Sequence, residues 1–171
     1  YELVLTKKDE LEGLPESIRE AAALRAKEKG KNGWLFNLSA PSYVAFMRYS
    51  ASRELREKMY REYISIGNKG DEYDNKEIIR KIVNIRLEIG KLMGETNYAS
   101  YKLKHTMAKT PARVYKLLNE LLEAYKPVAL SEYEAVQEFA SATEKEDIIV
   151  MPWDWSYYSE KLKDIRFNVN D

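Results

Sequence analysis

The stretch Met151-Pro152-Trp153-Asp154-Trp155-Ser156-Tyr157-Tyr158-Ser159-Glu160-Lys161-Leu162 is the densest aromatic cluster in the sequence. It follows the apolar run Ile148-Ile149-Val150, and residues 153–158 place two tryptophans and two adjacent tyrosines around one carboxylate. Pro152 disfavours helix at the residue before it, so the apolar run is predicted to be extended. Asp154 is predicted to be the N-cap of a helix that opens at Trp155, because its side chain can accept a backbone N–H.

Helical spacing of apolar residues dominates the rest of the chain. In residues 53–66 and again in 74–94, apolar residues recur every three or four positions, which is typical of helices. A third stripe runs over residues 114–139. Two short segments, Tyr1–Thr6 and Gly33–Leu38, are predicted to be strands. The sequence therefore predicts an all-α protein, mainly helical, with one or two short strands.

Capping signals indicate where three of these helices begin. Asp74 with Glu77 three residues later matches the capping-box pattern. Asn97 is predicted to cap a short helix. Thr110 is predicted to cap the longest one, with Pro111 at its first position.

Pro127 lies inside the longest stripe. A proline within a helix clashes with the carbonyl four residues back and kinks the helix. The unbroken apolar phase favours one bent helix, and the alternative is two helices split before Pro127. The polar segment Ser141–Asp147 is the one loop long enough to be a boundary. We therefore predict a helical segment over residues 1–140, then a polar loop with an aromatic strand and helix over residues 141–171.

The composition limits the class of protein. Hydrophobic residues make up 44% and charged residues 33%, which is typical of folded globular chains. The 28 basic and 28 acidic residues give a formal net charge of +0, which removes the electrostatic argument for nucleic acid. No apolar stretch approaches the roughly 18 residues of a membrane span. We predict neither a nucleic-acid partner nor a membrane partner.

The chain lacks the side chains that usually bind a catalytic zinc ion. The H-E-x-x-H type of zinc site needs two histidines one helical turn apart, and this sequence has one histidine, His105, and no cysteine. No catalytic residue and no metal ligand is predicted here, and His105 is interpreted as a solvated surface residue. The acidic residues of the 53–66 helix are interpreted as ion-pair partners on a solvated face, not as a catalytic pair. The residues of this face are Arg53, Glu54, Arg56, Glu57, Lys58, Arg61 and Glu62.

Short blocks along nearly the whole chain resemble, in order, the thimet oligopeptidase and oligopeptidase A family of zinc metallopeptidases. The segment Trp153-Asp154-Trp155 with Tyr157-Tyr158 resembles the region upstream of that family's zinc site. The second tryptophan, Trp155, is similar to the peptidyl-dipeptidase (dipeptidyl carboxypeptidase) branch. The other blocks include Leu11-Glu12-Gly13-Leu14-Pro15, Gly33-Trp34, Ala40-Pro41-Ser42-Tyr43, Arg53-Glu54-Leu55-Arg56, Asn97-Tyr98-Ala99 and Met107-Ala108-Lys109-Thr110-Pro111. Glu95 and Lys104-His105 depart from the family pattern.

The resemblance implies a mostly helical, two-lobed hydrolase that cleaves short peptides in a deep channel. A zinc-bound water attacks the scissile carbonyl in that family, with the glutamate of H-E-x-x-H as general base. Those groups are expected beyond Asp171. This chain would then be a fragment of the helical lobe and channel wall, with no cofactor of its own and zinc in the parent enzyme. Its substrate-channel candidates are Trp153, Asp154, Tyr157 and Tyr158; the alternative is that the tryptophans pack the lobe while Asp154 caps a helix.

The resemblance also indicates partners. Short peptides are the expected substrates of the parent enzyme, and the remainder of the parent chain, its catalytic lobe, is the expected protein partner. Apolar stripes left uncovered would make the fragment self-associate. A cytoplasmic location is expected, with the periplasm as the alternative. The alternative function is a stand-alone helical protein-interaction module without enzymatic activity.

Overall fold

The computed structural model describes residues 1–167, and this part of the chain is mainly helical. The prediction of an all-α fold with one or two short strands is confirmed. The elements of the described part are β1 (Glu2–Leu5), α1 (Glu16–Glu28), β2 (Trp34–Asn37), α2 (Ala40–Tyr49), α3 (Arg53–Ile64), α4 (Lys76–Leu92), α5 (Tyr98–Leu103), α6 (Pro111–Glu144) and α7 (Pro152–Phe167). A short 3-10 turn, Asp9–Leu11, follows β1. The end of the predicted 141–171 segment, residues 168–171, lies outside the described residues.

The two strands form one antiparallel sheet. Leu3 lies opposite Phe36 and Leu5 opposite Trp34. Gly33, just before β2, has φ 98°, and a Cβ atom there would lie 2.1 Å from the carbonyl oxygen of Leu5. Both the backbone angle and the close approach require glycine, so the entry to β2 depends on this residue.

The chain divides into two compact units, one formed by residues 1–65 with the described part of 133–171 and the other by residues 66–132. In the first unit the sheet, α1, α2, α3 and α7 share one core. The rings of Phe36 and Phe46 meet edge-on with centroids 4.8 Å apart at its centre. The buried residues of this core are Leu3, Leu5, Leu11, Leu14, Ala22, Phe36, Phe46, Met47, Met59 and Trp153.

A second apolar cluster of the first unit lies where the end of α6 meets α7. Its buried members are Val136, Ala140, Val150, Tyr157 and Tyr158. Gln137 holds the extended segment 148–150 against α6: its amide nitrogen donates to the Ile148 carbonyl and its amide oxygen accepts the Val150 N–H at 2.9 Å. The hydroxyls of Ser141 and Tyr133 add contacts of 3.5 Å to the carbonyls of Ile148 and Val150, so side chains of α6 supply backbone partners for this segment.

Helix α6 runs unbroken through Pro127, which confirms one helix rather than two. The helix also continues to Glu144, so the loop predicted to start at Ser141 begins later. In its last turns, Thr143 donates its hydroxyl to the Phe139 carbonyl one turn back, at 2.8 Å. Lys145, with φ 58°, ends the helix.

The capping box predicted at Asp74 is wrong, because α4 begins after Asn75 and not after Asp74. The Asp74 carboxylate instead accepts the N–H groups of Gly70 at 2.7 Å and Lys76 at 2.9 Å. It closes the loop before the helix, and Glu77 pairs with Arg80 rather than reaching back.

The caps predicted at Asn97 and Thr110 are confirmed. Asn97 accepts the N–H of Ser100 at 2.9 Å at the start of α5. Thr110 accepts the N–H of Arg113 at 3.4 Å at the start of α6. In each case the side-chain oxygen satisfies a donor that the first helical turn leaves without a partner.

Candidate functional site

Asp154 forms the centre of a buried polar cluster. Its side chain has 0% exposure and accepts hydrogen bonds from two arginines of α3. The Nε atom of Arg53 lies 3.1 and 3.0 Å from the two carboxylate oxygens, and its Nη2 lies 2.8 Å from Oδ2. The Nη2 atom of Arg56 lies 2.9 Å from Oδ1. We call Asp154, Arg53 and Arg56 the Arg–Asp cluster.

Local sequence explains why these three residues meet. Arg53 and Arg56 are three positions apart, so they share one face of α3. Ser52 fixes the start of that helix by accepting the Leu55 N–H at 3.3 Å. At the start of α7, Pro152 takes the first position, where its missing N–H costs nothing. Both helices therefore present their first turns to the cluster.

Asp154 is not the N-cap predicted from the sequence; it lies inside the first turn of α7. Its Oδ2 accepts the Met151 N–H at 3.1 Å, so the carboxylate reaches back to the residue before Pro152. This contact is the backward half of a capping box. The helix begins earlier than predicted because proline is well suited to the first helical position.

Arg56 is almost completely buried, with 1% of its side chain exposed. Its Nη1 donates to the carbonyls of Ser50 and Ala51 at 2.8 and 3.1 Å, and its Nε to the Trp153 carbonyl at 3.2 Å. The guanidinium carbon also lies 4.1 Å from the ring centroid of Tyr157. These partners compensate the cost of burying its charge.

Arg53 is the exposed member of the Arg–Asp cluster, with 45% of its side chain accessible. It also donates to the Ile149 carbonyl at 2.9 Å. Hydrogen bonding to Asp154 raises the pKa of Arg53, and burial opposes this to a smaller extent. The cluster thus ties α3 both to α7 and to the extended segment that precedes α7.

The four substrate-channel candidates are all buried within the first unit. The Trp153 ring belongs to the main core, where it faces Tyr60 at a centroid distance of 5.9 Å. Tyr158 donates its hydroxyl to Glu144 at 2.7 Å. Burial, followed by this hydrogen bond, raises the pKa of the Tyr158 phenol. The structure brings the candidates together but directs their side chains inward, whereas Trp155 is 38% exposed.

The hydrogen bonds of Asp154 are made inside the protein. Both carboxylate oxygens of Asp154 already accept charged N–H donors, and no part of the side chain is exposed. Hydrogen bonds between charged groups are short and strong, so a carboxylate in such surroundings holds the elements around it together. The geometry therefore describes a structural joint between α3 and α7.

The solvated-face prediction for the 53–66 helix is wrong for Arg56 and confirmed for Arg61. Arg61 pairs with Glu57 at 2.7 Å on the surface of α3. Sequence reasoning assigned both Arg53 and Arg56 to ion pairs within their own helix and missed their partnership with Asp154. The available signal was the pair of arginines three apart together with an aspartate in an otherwise apolar and aromatic segment. His105 is exposed, as predicted.

The chain is similar in sequence to known peptidases. A family model, Peptidase family M3, matches residues 46–171. Oligopeptidase A of Haemophilus influenzae is 37% identical over 177 residues, which cover 100% of this chain and 26% of the relative. Organellar oligopeptidase A of Arabidopsis thaliana is 36% identical over 181 residues, which cover 100% of this chain and 22% of the relative. Dipeptidyl carboxypeptidase of Escherichia coli is 29% identical over 170 residues, which cover 99% of this chain and 25% of the relative.

The chain belongs to peptidase family M3, and the resemblance to this metallopeptidase family seen in the sequence is confirmed. It spans about a quarter of the length of the curated relatives it matches. Within its described part, no helix combines the length and the apolar character needed to cross a bilayer.

Zinc, the metal that this family implies, does not fit the side chains present here. The sequence offers one histidine and no cysteine. Among residues 1–167, no three histidine, cysteine or acidic side chains lie close enough together to hold a metal ion. The Asp154 oxygens are already held by arginines. No step of a metal-dependent reaction can be assigned to these residues.

Proposed function

We propose that this chain is part of a zinc-dependent oligopeptidase that hydrolyses short peptides, and that the catalytic centre lies outside these residues. The observation that carries the proposal is family membership along the whole chain at about a quarter of the relatives' length. The side chains that could bind zinc support the second part of the proposal, because a chain with one histidine cannot form the H-E-x-x-H motif. In this proposal the chain supplies helical scaffold and channel wall.

The Arg–Asp cluster supports the scaffold role. It fixes the first turns of α3 and α7 relative to each other, and the buried aromatic residues pack around it. Contact of Trp153, Asp154, Tyr157 or Tyr158 with substrate stays a prediction. Their burial favours the packing alternative within these residues, and Trp155 is the aromatic residue of this segment best placed to meet a ligand.

The mode of peptide cleavage stays open between dipeptide release and internal cutting. The Trp155 pattern is similar to the peptidyl-dipeptidase branch. Identity is higher to the oligopeptidase A of Haemophilus influenzae, at 37%, than to the dipeptidyl carboxypeptidase of Escherichia coli, at 29%. We therefore propose an oligopeptidase without assigning the branch.

A cytoplasmic location is proposed on the same basis. One relative from Arabidopsis thaliana is named a probable cytosolic oligopeptidase A, at 35% identity. Another is named chloroplastic/mitochondrial, at 36% identity. Relatives of similar identity thus occupy different compartments, and the periplasmic alternative stays in place.

The test starts from the protein isolated from its source. Its mass by mass spectrometry should exceed the 20.0 kDa of this chain several-fold. The isolated protein should cleave short unstructured peptides, lose this activity to a zinc chelator and recover it when zinc is restored. A native protein of 20.0 kDa, or a longer one that leaves all short peptides intact, would refute the proposal. The first result would favour the stand-alone interaction module.

A further inference from the structure

Helix α4 exposes a continuous apolar seam. Its members Ile78, Ile82, Ile85, Ile89 and Leu92 follow each other at spacings of four, three, four and three, and their exposure lies between 37% and 85%. Gly90 is the one buried residue of this 17-residue helix. A helix of this length gains most of its stability from packing an amphipathic face, so α4 lacks its main support within the second unit.

The first half of α6 repeats the arrangement. Val114, Leu118, Leu121, Tyr125 and Val128 have the same spacing of four, three, four and three. The last four of them are 42–65% exposed. We call these two rows the α4 seam and the α6 seam. Both lie in the unit formed by residues 66–132.

The elements packed around α4 leave its seam open. Helix α5 approaches another side, where the Arg86 guanidinium lies over the Tyr98 ring at 5.5 Å. Val83 and Leu87 line a cleft of about 370 Å³ with Tyr98 and Ala99 on that same side. Gly90 is buried against the backbone of Asn97, so closely that a Cβ atom at this position would lie 2.6 Å from the Asn97 carbonyl carbon. The seam itself is free for another partner.

Resting on the proposed function, we propose that the α4 seam and the α6 seam are docking faces for amphipathic helices from the part of the longer polypeptide outside these residues. The spacing of the apolar residues indicates that the partner is a helix. Side chains that recur at alternating steps of three and four form the rows between which the side chains of a second helix pack. The matched relatives are about four times as long as this chain, and the additional length of such a polypeptide would contain the candidate helices.

A membrane surface fits the two seams less well. Residues 76–92 carry five basic and two acidic side chains, as a membrane-bound helix would, but residues 111–132 carry three of each sign. Both helices share the seam spacing and the exposure, and they differ in charge. A partner that covers both must therefore recognise the apolar spacing rather than positive charge.

Hydrogen–deuterium exchange tests the proposal on two samples, this 171-residue chain and the longer native polypeptide. Peptides covering 76–92 and 114–128 should exchange at least about tenfold more slowly in the longer polypeptide. In that polypeptide, the double substitution Ile82→Lys with Ile85→Lys should remove the protection of 76–92. Leu24→Lys, at an exposed position of α1, is the matched control and should leave it unchanged.

Exchange at 76–92 that is equally fast in both samples would overturn the inference. So would protection that appears only in a dimer of the longer polypeptide, which favours a second copy, or only with phosphatidylserine-containing vesicles, which favours a membrane. The experiment distinguishes failure of the proposed function from failure of the proposed docking of helices on the two seams. A protected seam in a longer polypeptide that cleaves no peptide refutes the proposed function alone, whereas an active peptidase with a freely exchanging seam refutes this inference alone.

Discussion

The guanidinium of Arg56 and the carboxylate of Asp154 lie 2.9 Å apart, although 98 residues separate them in the sequence. Both side chains are buried, and each completes its hydrogen bonds through the other and through nearby backbone groups. The contact joins α3 to α7 inside the first unit. A buried ion pair of this kind is costly to break from one side, because the remaining charge keeps its burial and loses its partner.

Replacement of Asp154 by asparagine should therefore destabilise the first unit strongly. Two guanidinium groups would lose their carboxylate, and a loss of about 3–5 kcal/mol in the free energy of unfolding is expected. Urea unfolding followed by tryptophan fluorescence measures this change. All three tryptophans, Trp34, Trp153 and Trp155, lie in the first unit and report on it.

Lys29→Ala provides the control for that substitution. Lys29 pairs with Glu2 at 3.0 Å on the surface, with 62% of its side chain exposed. An exposed pair contributes about 0–1 kcal/mol, so this variant should unfold almost like the original chain. An Asp154→Asn variant no less stable than Lys29→Ala would contradict the structural role of the Arg–Asp cluster.

Gln137→Glu should weaken the attachment of the extended segment 148–150. The glutamate keeps an acceptor for the Val150 N–H but loses the donor to the Ile148 carbonyl. The Ile148 carbonyl would keep only the Ser141 hydroxyl, which lies 3.5 Å away, and a carbonyl that loses its main partner in a half-buried place costs about 1 kcal/mol or more. The same urea measurement applies, and Glu138→Gln, its exposed neighbour, should change little. Equal stability of the two variants would argue against the Gln137 clamp.

Gly33→Ala should cost more than Gly30→Ala, although both glycines have positive φ. At Gly30, with φ 64°, a Cβ atom meets nothing within 4 Å, so only backbone strain of about 1–2 kcal/mol applies. At Gly33 the methyl group would also collide with the Leu5 carbonyl oxygen at 2.1 Å. Denaturant unfolding of both variants measures the difference. Equal losses in the free energy of unfolding would show that the sheet can make room for the methyl group at no additional cost.

Alkaline pH should destabilise the native state through Tyr158. Its pKa is raised above the ordinary 10.0, mainly by burial. Above pH 10.0 the unfolded chain therefore loses the phenol proton that the native state still holds, and stability falls as the pH rises. Unfolding free energies measured at successive pH values should decline less steeply in Tyr158→Phe than in the original chain. Parallel slopes would contradict the contribution of Tyr158.

Periodicity and local punctuation predicted most of the fold. The apolar steps of three and four residues placed the long helices, and Asn97 and Thr110 marked two helix starts correctly, because caps act within one turn of chain. Asp74 misled, since α4 begins one residue later, after Asn75, and the Asp74 carboxylate divides its hydrogen bonds between the preceding loop and the Lys76 N–H. The sequence alone does not show that the carboxylate also holds this loop.

The candidate site was less accessible to sequence reasoning. Arg56 has the spacing of an ordinary surface arginine, and nothing local shows that Asp154 approaches it from 98 residues away. Long-range pairing of charges depends on how α3 and α7 pack, which helical periodicity does not encode. The sequence singles out the aromatic segment, but the inward direction of its side chains follows from the core that forms around it.

The most direct test of the central claim is to express this chain alone, confirm its helix content, and measure its zinc content and its turnover of short peptides. We predict no stoichiometric zinc by elemental analysis and no cleavage, because one exposed histidine and an arginine-bound aspartate cannot hold and activate a catalytic metal ion. One tightly bound zinc ion per chain, together with chelator-sensitive peptide cleavage, would contradict the proposal that the catalytic centre lies elsewhere.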